Sequence, residues 1–156
     1  MDLDRLNRWL SLGANLGVMA GIIFLAVELQ QNTVATQQSA ATSFQDGFSE
    51  VELFIAGNQD FAELLVKGRN GAEVSDAEQL RLMVFYGTIL RQWQLNHLHY
   101  LSGTLEEDIW LGSRNYMEQI LAEDVGLFNR WLHGKKDFSP RFNEMIESIT
   151  DGYINE

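Results

Sequence analysis

The chain has no cysteine and a single proline, Pro140. The first absence excludes disulfides, thiolate metal sites and cysteine nucleophiles. It leaves the compartment open, because a protein without disulfides lives on either side of a membrane. The second absence favours long helices, since proline is the residue that interrupts them. Positive charge is also scarce: 11 Lys and Arg stand against 22 Asp and Glu, a net charge of −11. Nucleic-acid binding through a general basic surface is therefore excluded, because phosphate contacts need clustered cations. The densest basic spot, Lys135-Lys136, is followed at once by Asp137 and reads as a solvated loop. What the chain does have is apolar residues, 46% over 156 positions, which fits one folded domain of ordinary size and not disorder.

Charge is missing altogether from Trp9 to Val27, nineteen residues between Arg8 and Glu28. About 20 apolar residues cross a bilayer core as a helix. The run therefore reads as a membrane span, with Trp9 at its edge where an indole suits the headgroup zone. A buried core helix and a signal peptide are the competing readings, and no clear small-x-small cleavage site follows the run. Within it, Gly13, Gly17 and Gly21 recur every fourth residue. In a water-exposed helix each costs about 1 kcal/mol relative to alanine. In lipid the hydrophobic drive between helices vanishes, and small residues gain value by letting backbones approach. Together with Ala20 the three glycines make a candidate helix-packing interface, for a second copy or for another membrane helix. Asn15 is a candidate interhelical hydrogen-bonding group. Glu28 and Gln31 are candidate polar positions at the membrane exit. A ring of such carboxylates would favour cations; a solvated interfacial charge is the plain alternative.

Beyond the run, Val27, Val34, Ala41, Phe48 and Ile55 recur seven apart, with Phe44 and Val51 at the intermediate position. This is a helical seam. It serves either a long helix leaving the membrane or, from Phe44 to Ile55, a face covering the protein's own core. Gly47 is expected to weaken that helix locally. Gly57-Asn58 ends it, and Asp60 is expected to cap a short helix through Lys67. "GRNG" at 68–71 is a turn. Ser75-Asp-Ala-Glu78 and Thr104-Leu-Glu-Glu107 both have the spacing of capping boxes. The helix after the first is expected to turn Leu80, Met83, Val84, Gly87, Leu90, Gln94, His97, Leu98 and Leu101 to one face, and Gly103 stops it. The helix after the second carries Leu105, Ile109, Tyr116, Met117, Ile120 and Leu121. A short helix from about Asp124 to His133 carries Leu127, Phe128, Trp131 and Leu132. Ser139-Pro140 opens a last helix with Phe142, Met145, Ile146 and Ile149 inward. No strand pattern emerges. The fold is read as all-α, an N-terminal transmembrane helix continuing into a small helical bundle. Residues 1–28 form the anchor and 29–156 the helical domain, with helix 29–57 continuous with the anchor.

Four stretches, "IIFLAVELQQNT", "NQDFAELLVKG", "RQWQLNHLHYLSGTLEEDIW" and "DVGLFNRWLHGKKDFSPRFNEMI", carry a resemblance that covers nearly the whole chain. The sequence resembles a widespread family of small uncharacterised bacterial proteins with one N-terminal transmembrane helix and a helical domain. The resemblance implies architecture and a bacterial inner-membrane location, single-pass, and it implies no activity. Family members commonly carry arginine directly before the Gln-Asn-Thr signature, which implies a cytoplasmic domain; here Gln30 stands in that place. The positive-inside rule points the other way, since Arg5 and Arg8 precede the span and no Lys or Arg follows until Lys67. The side of the helical domain is therefore left undecided by the sequence.

Chemistry has little to stand on. His97 and His99 are two apart, so a regular helix turns them to different faces. No HExxH, paired ExxH, P-loop or GxSxG is present. No catalytic residue, metal ligand or cofactor site is expected. Trp93, Trp110, Trp131, Tyr86, Tyr100 and Tyr116 are read as core, with a ligand groove between helices as the alternative. Arg91, Gln92, Trp93 and Asn96 are a candidate polar network. The leading functional reading is a membrane-anchored, non-enzymatic assembly or accessory protein. Its partners would be membrane lipid and either its own copies or a larger membrane complex, not nucleic acid. The alternatives are a membrane-tethered sensor or ligand-binding module with an aromatic inter-helical pocket, and, lowest, an oligomeric ion pathway lined by Glu28 and Gln31.

Overall fold

The computed structural model describes residues 3–150, the side chain of Phe44 excepted, and every regular element among them is helical. The helices are α1 (Leu3–Gly57), α2 (Gln59–Arg69), α3 (Asp76–Leu101), α4 (Glu107–Glu123), α5 (Val125–His133) and α6 (Pro140–Thr150), with a 3-10 turn at Lys135–Asp137. The chain divides into two compact units, Met1–Ser39 and Ala40–Glu156, and the boundary falls inside α1.

In the first unit the uncharged run is helical throughout, and all of it is exposed. Most of its large apolar side chains, among them Leu16, Ile22, Phe24 and Leu25, are more than half exposed. Among the described residues α1 is the one helix long and apolar enough to cross a membrane.

In the second unit α2 to α6 and the end of α1 enclose one core. Trp93, Trp131, Phe142, Leu90, Met117, Leu127 and Ile146 are its largest fully buried apolar side chains. The seam of α1 covers this core from its own side, since Phe48 and Ile55 pack against it and Val51 is half-buried. Phe44 belongs to the same seam, and its side chain lies outside the described residues. Val27 and Val34, by contrast, are nearly half exposed. Gly47 does not interrupt α1. It admits α3, because a Cβ there would come within 2.9 Å of the Gln92 amide.

The caps show which local signals carried. Ser75 and Glu78 form the full box: the Ser75 hydroxyl accepts from Glu78 N, and the Glu78 carboxylate accepts from Ser75 N at 2.8 Å. Lys67 donates to the same carboxylate at 2.9 Å, and these contacts, Lys67 first, hold the Glu78 pKa down at about 2. The second box does not form. Glu106, not Thr104, is the N-cap of α4, and it makes no side-chain cap bond. Thr104 is taken by the other helix instead: its hydroxyl donates to the His99 carbonyl at 3.0 Å, closing the end of α3 beside Gly103, whose φ is +73°. Asn58 rather than Asp60 caps α2, its side chain accepting from Phe61 N at 3.0 Å, while Asp60 sits in the first turn where the helix dipole favours a carboxylate.

α3 turns inward a face that matches its apolar spacing only in part, at Gly87, Leu90 and His97. Leu82, Tyr86, Gly87, Leu90, Trp93, Asn96 and His97 are buried, whereas Leu80, Met83, Val84, Leu98 and Leu101 are exposed. The helix is apolar over more than half its circumference, so periodicity alone did not fix the rotation. α4 largely follows its spacing: Met117 and Leu121, with Leu105 just before the helix, are buried and Ile109 and Ile120 pack against the core, joined by Trp110 and Ser113, while Tyr116 is half exposed. In α5 Leu127 and Trp131 are buried and Leu132 is exposed; in α6 Phe142, Ile146 and Ile149 are buried as expected.

α2 and α5 meet at two glycines. A Cβ on Gly126 would lie 2.8 Å from the Gly68 carbonyl oxygen, and a Cβ on either glycine would press on the Tyr86 side chain. Tyr86 therefore occupies a slot between two helix backbones that only glycine leaves open.

Candidate functional site

The glycine face is built by helix geometry alone. At about 3.6 residues per turn, Gly13, Gly17 and Gly21 follow one shallow strip, with Ala20 at its edge. Gln31 lies eighteen residues past Gly13, about five full turns, and returns to the same strip; Glu28 lies seven past Gly21 and stays close to it. A Cβ placed on any of the three glycines would meet nothing within 4 Å, and Ala20, Glu28 and Gln31 are all exposed. The strip is thus bare backbone ending in two polar side chains. Asn15 is about 160° around the helix from Gly17, so it cannot serve the same contact.

The helical domain holds a second candidate, a cavity of about 510 Å³ among α1, α2, α3 and α4. Its walls are Phe48, Ile55, Leu65, Phe85, Ile89 and Ile120, joined by the rings of Tyr86, Trp93 and Tyr116. Its polar residues are Glu52, Gln119, Asp124 and the Arg69–Glu123 ion pair. Asp124 also caps α5, its carboxylate accepting from Leu127 N at 2.9 Å. Burial raises the Tyr86 pKa, and the neighbouring Asp124 charge adds to the effect; burial likewise raises that of Asp124. The two groups interact electrostatically, yet the Tyr86 hydroxyl has no well-formed hydrogen bond among the described residues. Trp93 Nε1 is also buried, with no acceptor among the described residues. A mostly apolar cavity with a few polar groups of shifted pKa is the usual form of a small-molecule site. The aromatic content signalled this groove; its position between α1 and α4 had no local signal.

The expected polar network forms in part. Gln92 donates to Asn96 at 3.4 Å, Arg91 is exposed, and Trp93 takes no share. The three histidines are separated by task. His97 stacks on Trp110 with ring centres 5.0 Å apart, His99 Nδ1 is 3.0 Å from the Thr104 hydroxyl, and His133 Nδ1 lies 2.8 Å from the Asn129 carbonyl. Among the described residues no group of three His, Asp or Glu side chains is placed to hold a metal ion. No protein-family model, curated protein or solved structure matches the chain.

Proposed function

We propose that this chain is a non-enzymatic, membrane-anchored assembly or accessory protein, crossing the bacterial inner membrane once and packing on its own copies through Gly13, Gly17, Gly21 and Ala20. One observation carries the reading: the whole uncharged run is exposed, and its glycine strip is open. So large a continuous apolar surface is not sustained in water and marks contact with lipid or protein. In lipid, bare backbone is what allows close helix approach. Packing along this strip would bring Gln31 side chains together at the membrane exit, where amides can hydrogen-bond across the contact. Gly17→Leu is the test. In detergent, light scattering of the full chain is expected to show a fall from oligomer to monomer; an unchanged mass would overturn the self-association.

The cavity favours a second reading, a membrane-tethered ligand-binding module. A ligand at about a hundredfold above its Kd would stabilise the domain by ~2.7 kcal/mol, several degrees in Tm. A thermal-shift screen of uncharged apolar compounds is expected to find such a rise, lost in Ile89→Trp, which fills the cavity. Silence across metabolite and lipid libraries would remove this reading.

A further inference from the structure

Cations are scarce in this chain, and several in the helical domain are matched. Lys67 pairs with Glu78, Arg69 with Glu123, Arg130 with Asp137 and Lys135 with Glu147. Arg81 lies over the Phe61 ring. Arg114 and Arg141 are different: among the described residues neither makes an ion pair or a side-chain hydrogen bond, and the fold brings them to one place. Both line an open cavity of about 560 Å³ formed by α3, α4 and α6. Its one carboxylate, Glu144, pairs with neither.

Most of the remaining lining is aromatic or aliphatic. His97, Trp110 and Tyr100 form a three-ring stack along it, with ring centres 5.0 Å and 5.3 Å apart and planes within 20°. Leu101, Leu111, Met145 and the polar Ser148 complete the lining. His97 is held below its ordinary pKa, first by burial and then by the charge of Arg141, so that charge is felt at the ring. Free guanidinium groups beside an aliphatic and aromatic surface suit a ligand that is anionic at one end and apolar at the other. The planar fork of arginine matches phosphate and carboxylate oxygens.

We infer that this cavity binds a small organic anion, a phosphate monoester or carboxylate on an aryl or alkyl body. The anionic oxygens lie between Arg114 and Arg141, and the body rests on Leu101, Leu111, Met145 and the ring stack. The site shares no lining residue with the cavity at Tyr86.

The full chain in nanodiscs of zwitterionic lipid, titrated with phenyl phosphate, tests this by calorimetry and by the methyl resonance of Met145. Saturable binding that shifts Met145 is expected, with inorganic phosphate and benzyl alcohol each about tenfold weaker or more, since each lacks one half of the recognition. Arg114→Gln and Arg141→Gln should each weaken phenyl phosphate by about tenfold. The lysine variants, which keep the charge but lose the fork, should lie between. Equal binding of benzyl alcohol, or full phenyl phosphate affinity in both glutamine variants, would overturn the inference. Circular dichroism of each variant separates lost binding from lost fold. In discs containing an anionic lipid, weakened phenyl phosphate binding would assign the site to a lipid headgroup and unchanged binding to a soluble anion; both outcomes support the site.

Discussion

Trp131→Ala is expected to destabilise the helical domain by about 3–5 kcal/mol, the usual cost of truncating a fully buried tryptophan. Trp131 is completely buried in the core. Its indole also ties down the segment C-terminal to α5. Nε1 donates to Asn143 Oδ1 at 3.1 Å, and the same Asn143 donates to the Lys135 carbonyl at 2.9 Å. The Lys135 ammonium lies 4.4 Å from the Trp131 ring centre and pairs with Glu147 at 2.7 Å. Truncation therefore opens a cavity and frees the link between the 3-10 turn and α6. Small domains are stable by only about 5–15 kcal/mol, so this loss is a large share of the total. Chemical denaturation of the full chain, followed by near-UV circular dichroism, measures it. A loss below about 1 kcal/mol would mean the site collapses around the smaller side chain and is not rigidly packed. Trp131→Phe should retain more of the stability while leaving Asn143 Oδ1 without its donor.

Two glycine-to-alanine substitutions are expected to have opposite signs. At Gly112, on an exposed part of α4, a Cβ meets nothing within 4 Å, so alanine should stabilise by up to about 1 kcal/mol through helix propensity. At Gly126 the same propensity gain is opposed by a clash with the Gly68 carbonyl oxygen at 2.8 Å. That atom is backbone and cannot swing aside, and overpacking costs about 1–3 kcal/mol, so the clash wins. Gly126→Val should reach the upper end of that range or beyond. Thermal unfolding of the variants decides between them, and stabilisation by Gly126→Ala would contradict the close approach of α2 and α5.

This pair also shows what the sequence revealed and what it withheld. A helix-lowering glycine looks the same at 47, 112 and 126, because close approach is decided by residues far away in the chain. The Ser75 box was legible because both partners lie within one turn. Thr104 to Glu107 has the same spacing, yet the tertiary demand of closing α3 onto His99 took its hydroxyl. Amphipathic α6 turned its expected residues inward. α3 did so only at Gly87, Leu90 and His97, since Leu80, Met83 and Val84 offered a second apolar face as plausible as the buried one. The glycine strip was readable because helix geometry alone places it. The positions of the two cavities were not, since each draws on three or more helices whose mutual rotation only packing determines. Arg114 and Arg141, 27 residues apart, carry no sequence signal that they line one cavity.

The slot that holds Tyr86 has a consequence for motion. An aromatic ring flanked by ordinary side chains turns over when those side chains shift. Tyr86 has the Gly126 backbone beside its Cε2 edge, while Gly68 faces the hydroxyl, which lies on the flip axis, so turning the ring requires α5 to move at its crossing with α2. Its flipping rate is therefore a clock for the breathing of that crossing, a local opening well short of unfolding.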